Sequence, residues 1–178
     1  MASSAQNPAT KTSSAPFAAL PDGFRLFAGA LTSAEQKALL ADIQNVMLSA
    51  PLFQPRMPKT GQPFSVKMTN CGPLGWVSDK ERGYRYQATH VATGRPWPPI
   101  PQIMLDLWRD FAAFDGSPEA CLINHYPAGA KMGSHRDKDE DEPRAPVLSL
   151  SLGDDAIFHV GGTKRGDPKV RVTLRSGD

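Results

Sequence analysis

The sequence predicts an α+β fold, with two helices packed outside a largely antiparallel sheet. Three observations predict it. Apolar residues recur at helical spacing in two stretches, both before residue 115. From residue 117 onward no helix of length is legible, and short alternating or β-branched runs take over. Finally, 17 Pro and 15 Gly among 178 residues cut the chain into many short elements joined by turns. Helices first and strands afterward is the order expected of an α+β domain.

The elements follow in chain order. Residues 1–16 are mostly Ala, Ser, Thr, Asn and Pro with one charge, Lys11, a composition expected to stay disordered. It lacks the apolar stretch of a secretory signal and the arginines of a transit peptide. Thr32-Ser33-Ala34-Glu35 reads as a capping box, with Thr32 as N-cap. Behind it Leu39, Leu40, Ile43, Val46 and Met47 keep helical spacing until Ala50-Pro51 ends the run. A second helix is expected over about 101–114, with Met104, Leu107, Trp108 and Phe111 on one face, stopped by Asp115-Gly116. Strands are expected over 64–68, 120–126, 148–152, 157–160 and 170–174, each near a Gly, Pro or Asp.

Composition excludes several classes. A chain with 40% hydrophobic and 21% charged residues can build a core, and its length fits one domain, two at most. No apolar run approaches the roughly 18 residues of a membrane span. Two cysteines, Cys71 and Cys121, are too few for a disulfide scaffold and fit a reducing, cytoplasmic setting. A net charge of +2 permits a nucleic-acid partner without arguing for one.

The densest chemistry lies between Asn124 and Asp141. Asp137, Asp139 and Asp141 have calcium-loop spacing, but Glu142 stands where the loop needs Gly and Leu148 where it needs Glu. Gly161-Gly162-Thr163-Lys164-Arg165-Gly166 continues into Asp167-Pro168 rather than Lys-Ser/Thr, so a phosphate loop fails too. His135 and Asp137 remain. At i and i+2 on an extended strand they would share a face, forming two-thirds of the 2-His-1-carboxylate triad that holds Fe(II) with open positions. The plainer reading is a solvated polar turn. For a third ligand, His90, His125 and His159 are all poor candidates by position.

Longer strings narrow the choice. Met68-Thr69-Asn70-Cys71-Gly72 is followed by Leu74-Gly75-Trp76, and Cys121-Leu122-Ile123-Asn124 by Tyr126 and Gly129-Ala130-Lys131. His135-Arg136-Asp137-Lys138-Asp139-Glu140 leads to Arg144-Ala145-Pro146 and Ser149-Leu150-Ser151-Leu152-Gly153. Ala156-Ile157-Phe158, Gly161-Gly162, Lys164-Arg165 and Asp167-Pro168 close the series. In this order the strings resemble the AlkB family of Fe(II)/2-oxoglutarate-dependent nucleic-acid dealkylases, the bacterial repair enzymes above all, over about residues 21–178.

The resemblance implies a double-stranded β-helix (jelly roll) core, with residues 17–116 as N-terminal helices and a nucleotide-recognition lid, and 117–178 as part of the catalytic core. It makes His135 and Asp137 iron ligands and sets Asn124 and Tyr126 against 2-oxoglutarate. Trp76 and Tyr84 fall in the lid that meets an extruded base, a role suited to aromatics because the base must recover lost stacking. Asp139 matches a carboxylate that accepts from the base, and Met68 and Arg165 match positions near the substrate. Each has a plainer alternative: Trp76 as a core aromatic, Tyr84 and Tyr126 as packing residues, Asp139 as a loop charge, Met68 as a gap-filler. The implied co-substrates are 2-oxoglutarate and O₂, and the implied partner of a monomer is alkylated DNA, single- or double-stranded, or RNA. The implied reaction couples decarboxylation of 2-oxoglutarate to hydroxylation of an N-alkyl carbon, which then leaves as an aldehyde.

The same resemblance puts the third ligand, a His, and the Arg that pairs with the distal carboxylate of 2-oxoglutarate beyond Asp178. The expectation is a jelly roll lacking its last core strands, and a 178-residue chain that binds Fe(II) weakly and turns over little. Two other readings stand beside the enzyme. One is a non-catalytic remnant that binds nucleic acid through Trp76 and the basic residues Lys164, Arg165, Lys169, Arg171 and Arg175. The other is a divalent-cation binder built on the acidic loop.

Overall fold

Helix α1 starts at Ser33, directly after Thr32, and runs to Ser49, where Ala50-Pro51 ends it. In the computed structural model, which describes residues 20–137, 142–162, 164 and 166–178, this is the longest element. Leu39 and Val46 are buried, Ile43 and Met47 partly so, while Leu40 lies outside the stripe and is half exposed. The tail expected over 1–16 lies outside the described residues, as do Asp139 and Arg165.

Three strands follow: β1 (Lys67–Cys71), β2 (Gly75–Asp79) and β3 (Gly83–Gln87). Helix α2 (Gln102–Phe111) precedes β4 (Cys121–His125), and the chain continues into β5 (Ala156–Gly161) and β6 (Lys169–Leu174). The strands form three antiparallel pairs, β1 with β4, β2 with β3, and β5 with β6. None of the described helices is long and apolar enough to cross a membrane.

The described residues divide into two units, one lying within 34–149 and one made of residues 20–33 with those described from 150 onward. In the larger unit β1 is the structural centre. Phe53 bridges to Met68 on one edge of β1, and β4 pairs along the other. Met68, Thr69, Asn70 and Cys71 are all buried, so the strand is covered on both faces. Its two buried polar side chains are satisfied: Thr69 Oγ1 donates to the Ala50 carbonyl at 2.7 Å, and Asn70 bonds to the backbone of β2. Ala50, Val77 and Trp97 pack together with Phe53 against them, joining the end of α1 to β2. Beside this cluster His90 is buried, its Nε2 at 2.8 Å from the Pro51 carbonyl and its Nδ1 accepting from Ala92 and Thr93 amides. Both ring nitrogens are thus committed to backbone, which removes His90 as a metal ligand.

In the smaller unit β5 and β6 pair in register from Ala156↔Leu174 to Gly161↔Lys169. Val172 is buried there, and Phe24 stacks on Phe158 at 6.2 Å. The segment around Leu31 is tied in by its amide on the Gly177 carbonyl at 3.1 Å.

The structure adds the β2–β3 hairpin, which was not among the expected strands, and departs from sequence expectation in four further places. Residues 64–66 lead into a strand that starts only at Lys67. Helix α2 closes at Phe111, because Ala113 takes a left-handed conformation (φ 51°) that an α-helix cannot continue. Residues 148–152 alternate like a strand, yet the backbone bonds described for them are only Ser151 N to the Asp178 carbonyl and Gly177 N to the Ser151 carbonyl. Alternation marks a face but supplies no partner, and a strand needs a partner. The extended strand on which His135 and Asp137 would share a face is likewise not formed, residues 131–137 being irregular.

Candidate metal pair and aromatic platform

Tyr126 follows the last residue of β4, and the loop after it carries the metal candidates. The first fastening of that loop is Ser65, whose Oγ donates to the Lys131 carbonyl at 2.7 Å and accepts from the Lys131 amide at 3.0 Å. Four residues on, His135 Nδ1 lies 2.8 Å from the Gly133 carbonyl. A carbonyl can only accept, so Nδ1 carries a proton, and in the neutral ring Nε2 then holds the free lone pair. That lone pair is the one a metal takes, with the other nitrogen tied back to orient the ring. Nε2 lies 3.5 Å from Asp137 Oδ1. Two cis donors, each about 2.1 Å from one ion, stand about 3.0–3.5 Å apart, so the pair fits a shared cation. Both side chains are well exposed, so an ion could reach them. Among the described residues no group of three His, Cys, Asp or Glu side chains converges. His135 and Asp137 are therefore two donors of the chemistry an Fe(II) site needs, brought together without the strand expected to align them.

Asn124 and Tyr126 lie at the loop's root. Asn124 is exposed on β4 opposite Met68, and Tyr126 is half exposed with its hydroxyl 3.9 Å from Met132 Sδ. Desolvation of the Tyr126 phenol pushes its pKa above the usual tyrosine value. It therefore stays protonated at neutral pH and can donate to an anionic ligand. Met68 itself is 1% exposed, a core residue whose backbone bonds to Phe53 on both sides.

The aromatic candidates stand on the β2–β3 hairpin. Asp79 pairs with Gly83 across a three-residue turn, where Gly83 takes φ +72°, a conformation that costs other residues more. The Asp79 carboxylate accepts from the Arg82 amide at 2.7 Å and meets Arg85 at 2.8 Å. The Arg82 amide, then the Arg85 guanidinium, hold that carboxyl below its ordinary pKa. Trp76 faces Tyr86 in register and stacks on Tyr84, with ring centroids 5.5 Å apart and planes 24° apart. Phe64 leans on the same indole at 6.3 Å. Phe64 thus touches the platform while its neighbour Ser65 fastens the metal loop.

Sequence reasoning quoted Asn70 only within a string and missed what it does. Its side-chain amide donates to the Trp76 carbonyl and accepts from the Trp76 amide, both at 3.0 Å. A buried side chain thereby imitates one rung of a β-ladder and fixes the Trp76 backbone. The neighbouring Gly75 is equally constrained, since a Cβ there would meet Trp97 at 2.5 Å and Asn70 Cβ at 2.7 Å. Gly75 directly before Trp76 hinted at a close backbone approach, but nothing in the sequence marked Asn70 as the residue that meets it.

With this geometry in view, comparison with known proteins is informative. The model of the 2OG-Fe(II) oxygenase superfamily matches residues 23–178. The chain is 47% identical over 156 residues to an alpha-ketoglutarate-dependent dioxygenase AlkB homolog of Caulobacter vibrioides, covering 88% of this chain and 70% of that protein. It is 44% identical over 153 residues to the alpha-ketoglutarate-dependent dioxygenase AlkB of Escherichia coli, covering 84% and 69%. Among solved structures, that of OsALKBH1 aligns with a TM-score of 0.73 at 26% identity, covering 91% of this chain and 80% of that one. The α+β jelly-roll architecture expected from the sequence is thus the architecture of the chain, and Fe(II), 2-oxoglutarate and O₂ are the reactants of its class. The chain belongs to the 2OG-Fe(II) oxygenase superfamily, among the AlkB proteins.

Proposed function

We propose that this protein is a dioxygenase that oxidatively removes N-alkyl groups from nucleobases of DNA, repairing alkylation damage. The observation that carries the reading is the His135–Asp137 pair, with Nε2 freed by the Gly133 carbonyl and 3.5 Å from a carboxylate. On this reading residues 17–116 supply the N-terminal helices and the nucleotide-recognition lid, and 117–178 part of the catalytic core.

His135 and Asp137 would hold the iron. When bound there, Fe(II) supplies activation of O₂ coupled to decarboxylation of 2-oxoglutarate. The remaining work belongs to side chains. Asn124 can donate and accept, and protonated Tyr126 can donate, so the two suit a keto acid at the root of the metal loop. Trp76, backed by Phe64 and Tyr84, offers a stacking surface to an extruded base, and base–aromatic stacking contributes about 1–3 kcal/mol. Asp139 and Arg165 are assigned to the base and its surroundings. Met68, being buried, acts as a core residue of β1 beside Asn124 rather than as a direct substrate contact. The partner is alkylated DNA, with RNA as the alternative, single strands costing least because their bases need no extrusion.

Titration with Mn(II), followed by its electron paramagnetic resonance signal, tests the pair. Binding that disappears in both His135→Ala and Asp137→Ala supports it, and binding that survives both overturns the metal assignment. The reaction is tested by incubating N-methylated single-stranded DNA with Fe(II) and 2-oxoglutarate and measuring succinate and released aldehyde. In a protein that also carries the third ligand, His135→Ala is expected to abolish both products; unchanged turnover would remove His135 from the mechanism.

A further inference from the structure

The two cysteines are 50 residues apart in sequence and directly opposite each other at the end of the β1–β4 ladder. Directly opposed residues of an antiparallel pair point to the same face, with Cα atoms about 4.5–5.5 Å apart. That interval lies inside the roughly 4.4–6.8 Å over which a disulfide can close. Cys71 Sγ donates to the Cys121 carbonyl oxygen at 3.6 Å. Both are free, Cys71 buried and Cys121 partly open. Neither belongs to the metal pair or the aromatic platform.

We propose that Cys71 and Cys121 form an oxidisable dithiol site, which a peroxide closes into a cross-strand disulfide. Chain separation sets no barrier, because the ladder already holds the two residues in register. Cys121 is the first nucleophile, since it is the more open of the two. The neighbouring Cys71 thiol also lowers the pKa of Cys121, whereas Cys121 alongside and burial push Cys71 up.

Cys121 loses its proton to water, and its sulfur takes one oxygen of hydrogen peroxide. The O–O bond breaks, leaving a sulfenic acid and a hydroxide that recovers the proton as water. The Cys71 sulfur then attacks the Cys121 sulfur, the S–O bond breaks, and the Cys71 proton leaves with the hydroxyl as a second water. The sulfur pair gives up two electrons, and the peroxide receives them.

The test uses the folded protein. After exposure to hydrogen peroxide it is denatured in N-ethylmaleimide and weighed without reductant. The expected product has lost two hydrogens, carries no maleimide, yields a linked Cys71–Cys121 peptide, and regains both thiols in dithiothreitol. Cys71→Ser and Cys121→Ser, each confirmed as folded by circular dichroism, are expected to give no intramolecular link. The proposal is overturned if the wild-type protein keeps both thiols under conditions that oxidise free cysteine. It is equally overturned if Cys121 goes on to a sulfinic acid while Cys71 stays alkylable, or if the link forms only after unfolding in urea.

Discussion

The β2–β3 hairpin and the loop after β4 belong to the same unit and are held in contrasting ways. Trp76 is fixed from several directions: its backbone by the Asn70 amide, its ring by Tyr84 and Phe64, its hairpin by the Asp79–Arg85 pair. The loop carrying His135 and Asp137 is irregular and exposed, fastened by Ser65 at Lys131 and by a local bond within 133–135. The aromatic platform is therefore preorganised by packing, and on the proposed reading the loop of His135 and Asp137 would gain order from the ion it holds. On that reading the metal could be lost while the stacking surface offered to a base stays in place.

Four substitutions or conditions break or sharpen that contrast. The largest effect is expected from Asn70→Ala, which strips two bonds from the Trp76 backbone and leaves a buried carbonyl and amide unpaired. A loss of about 1–3 kcal/mol in unfolding free energy is expected in urea titration. Mn(II) affinity should change less than stability does; an equal loss at the metal pair would mean that the two regions are one.

Trp76→Ala comes next. Affinity for N-methylated single-stranded DNA, measured by fluorescence anisotropy, should weaken by about 1–3 kcal/mol while Mn(II) binding is retained. Unaltered DNA affinity would return Trp76 to the plainer reading of a packing aromatic. Ser65→Ala should act in reverse, removing about 0.5–1.5 kcal/mol of hydrogen bonding from the metal loop. Mn(II) binding should weaken severalfold and DNA affinity stay within error, both by titration.

The smallest effect concerns acid. Asp79 has its folded pKa lowered by the Arg82 amide and then by Arg85. Its contribution is whole above the unfolded carboxylate value of about 3.9 and is lost as pH falls through the lower folded value. Tryptophan fluorescence should report the hairpin loosening in that acid range, by less than about 1 kcal/mol. Asp79→Asn should remove the step, and an unchanged profile would assign it to another carboxylate.

How much of this was legible depended on whether the signal was local. Helix α1 was readable because Thr32, the apolar stripe and Ala50-Pro51 all lie within one segment. Strands β4, β5 and β6 were readable to within a residue or two for the same reason. Residues 148–152 have an equally clean alternation and form no strand, because pairing depends on residues distant in sequence. The β2–β3 hairpin escaped notice since its turn, Lys80-Glu81-Arg82 before Gly83, lacks the strongest turn pairs. At the site, His135 and Asp137 were found by spacing although the strand that justified the spacing is absent. Asn70 was beyond reach for a different reason: a buried amide matters through which backbone it meets, and no sequence pattern records that.

The bond from His135 to Gly133 has an evolutionary consequence. The orienting acceptor is a main-chain oxygen, and no substitution deletes a main-chain oxygen. Nothing lies within 4 Å of where a Cβ at Gly133 would be, so even that position tolerates a side chain. The ring's alignment is thereby robust to mutation around it, and the surrounding loop is free to drift in sequence while His135 keeps its direction.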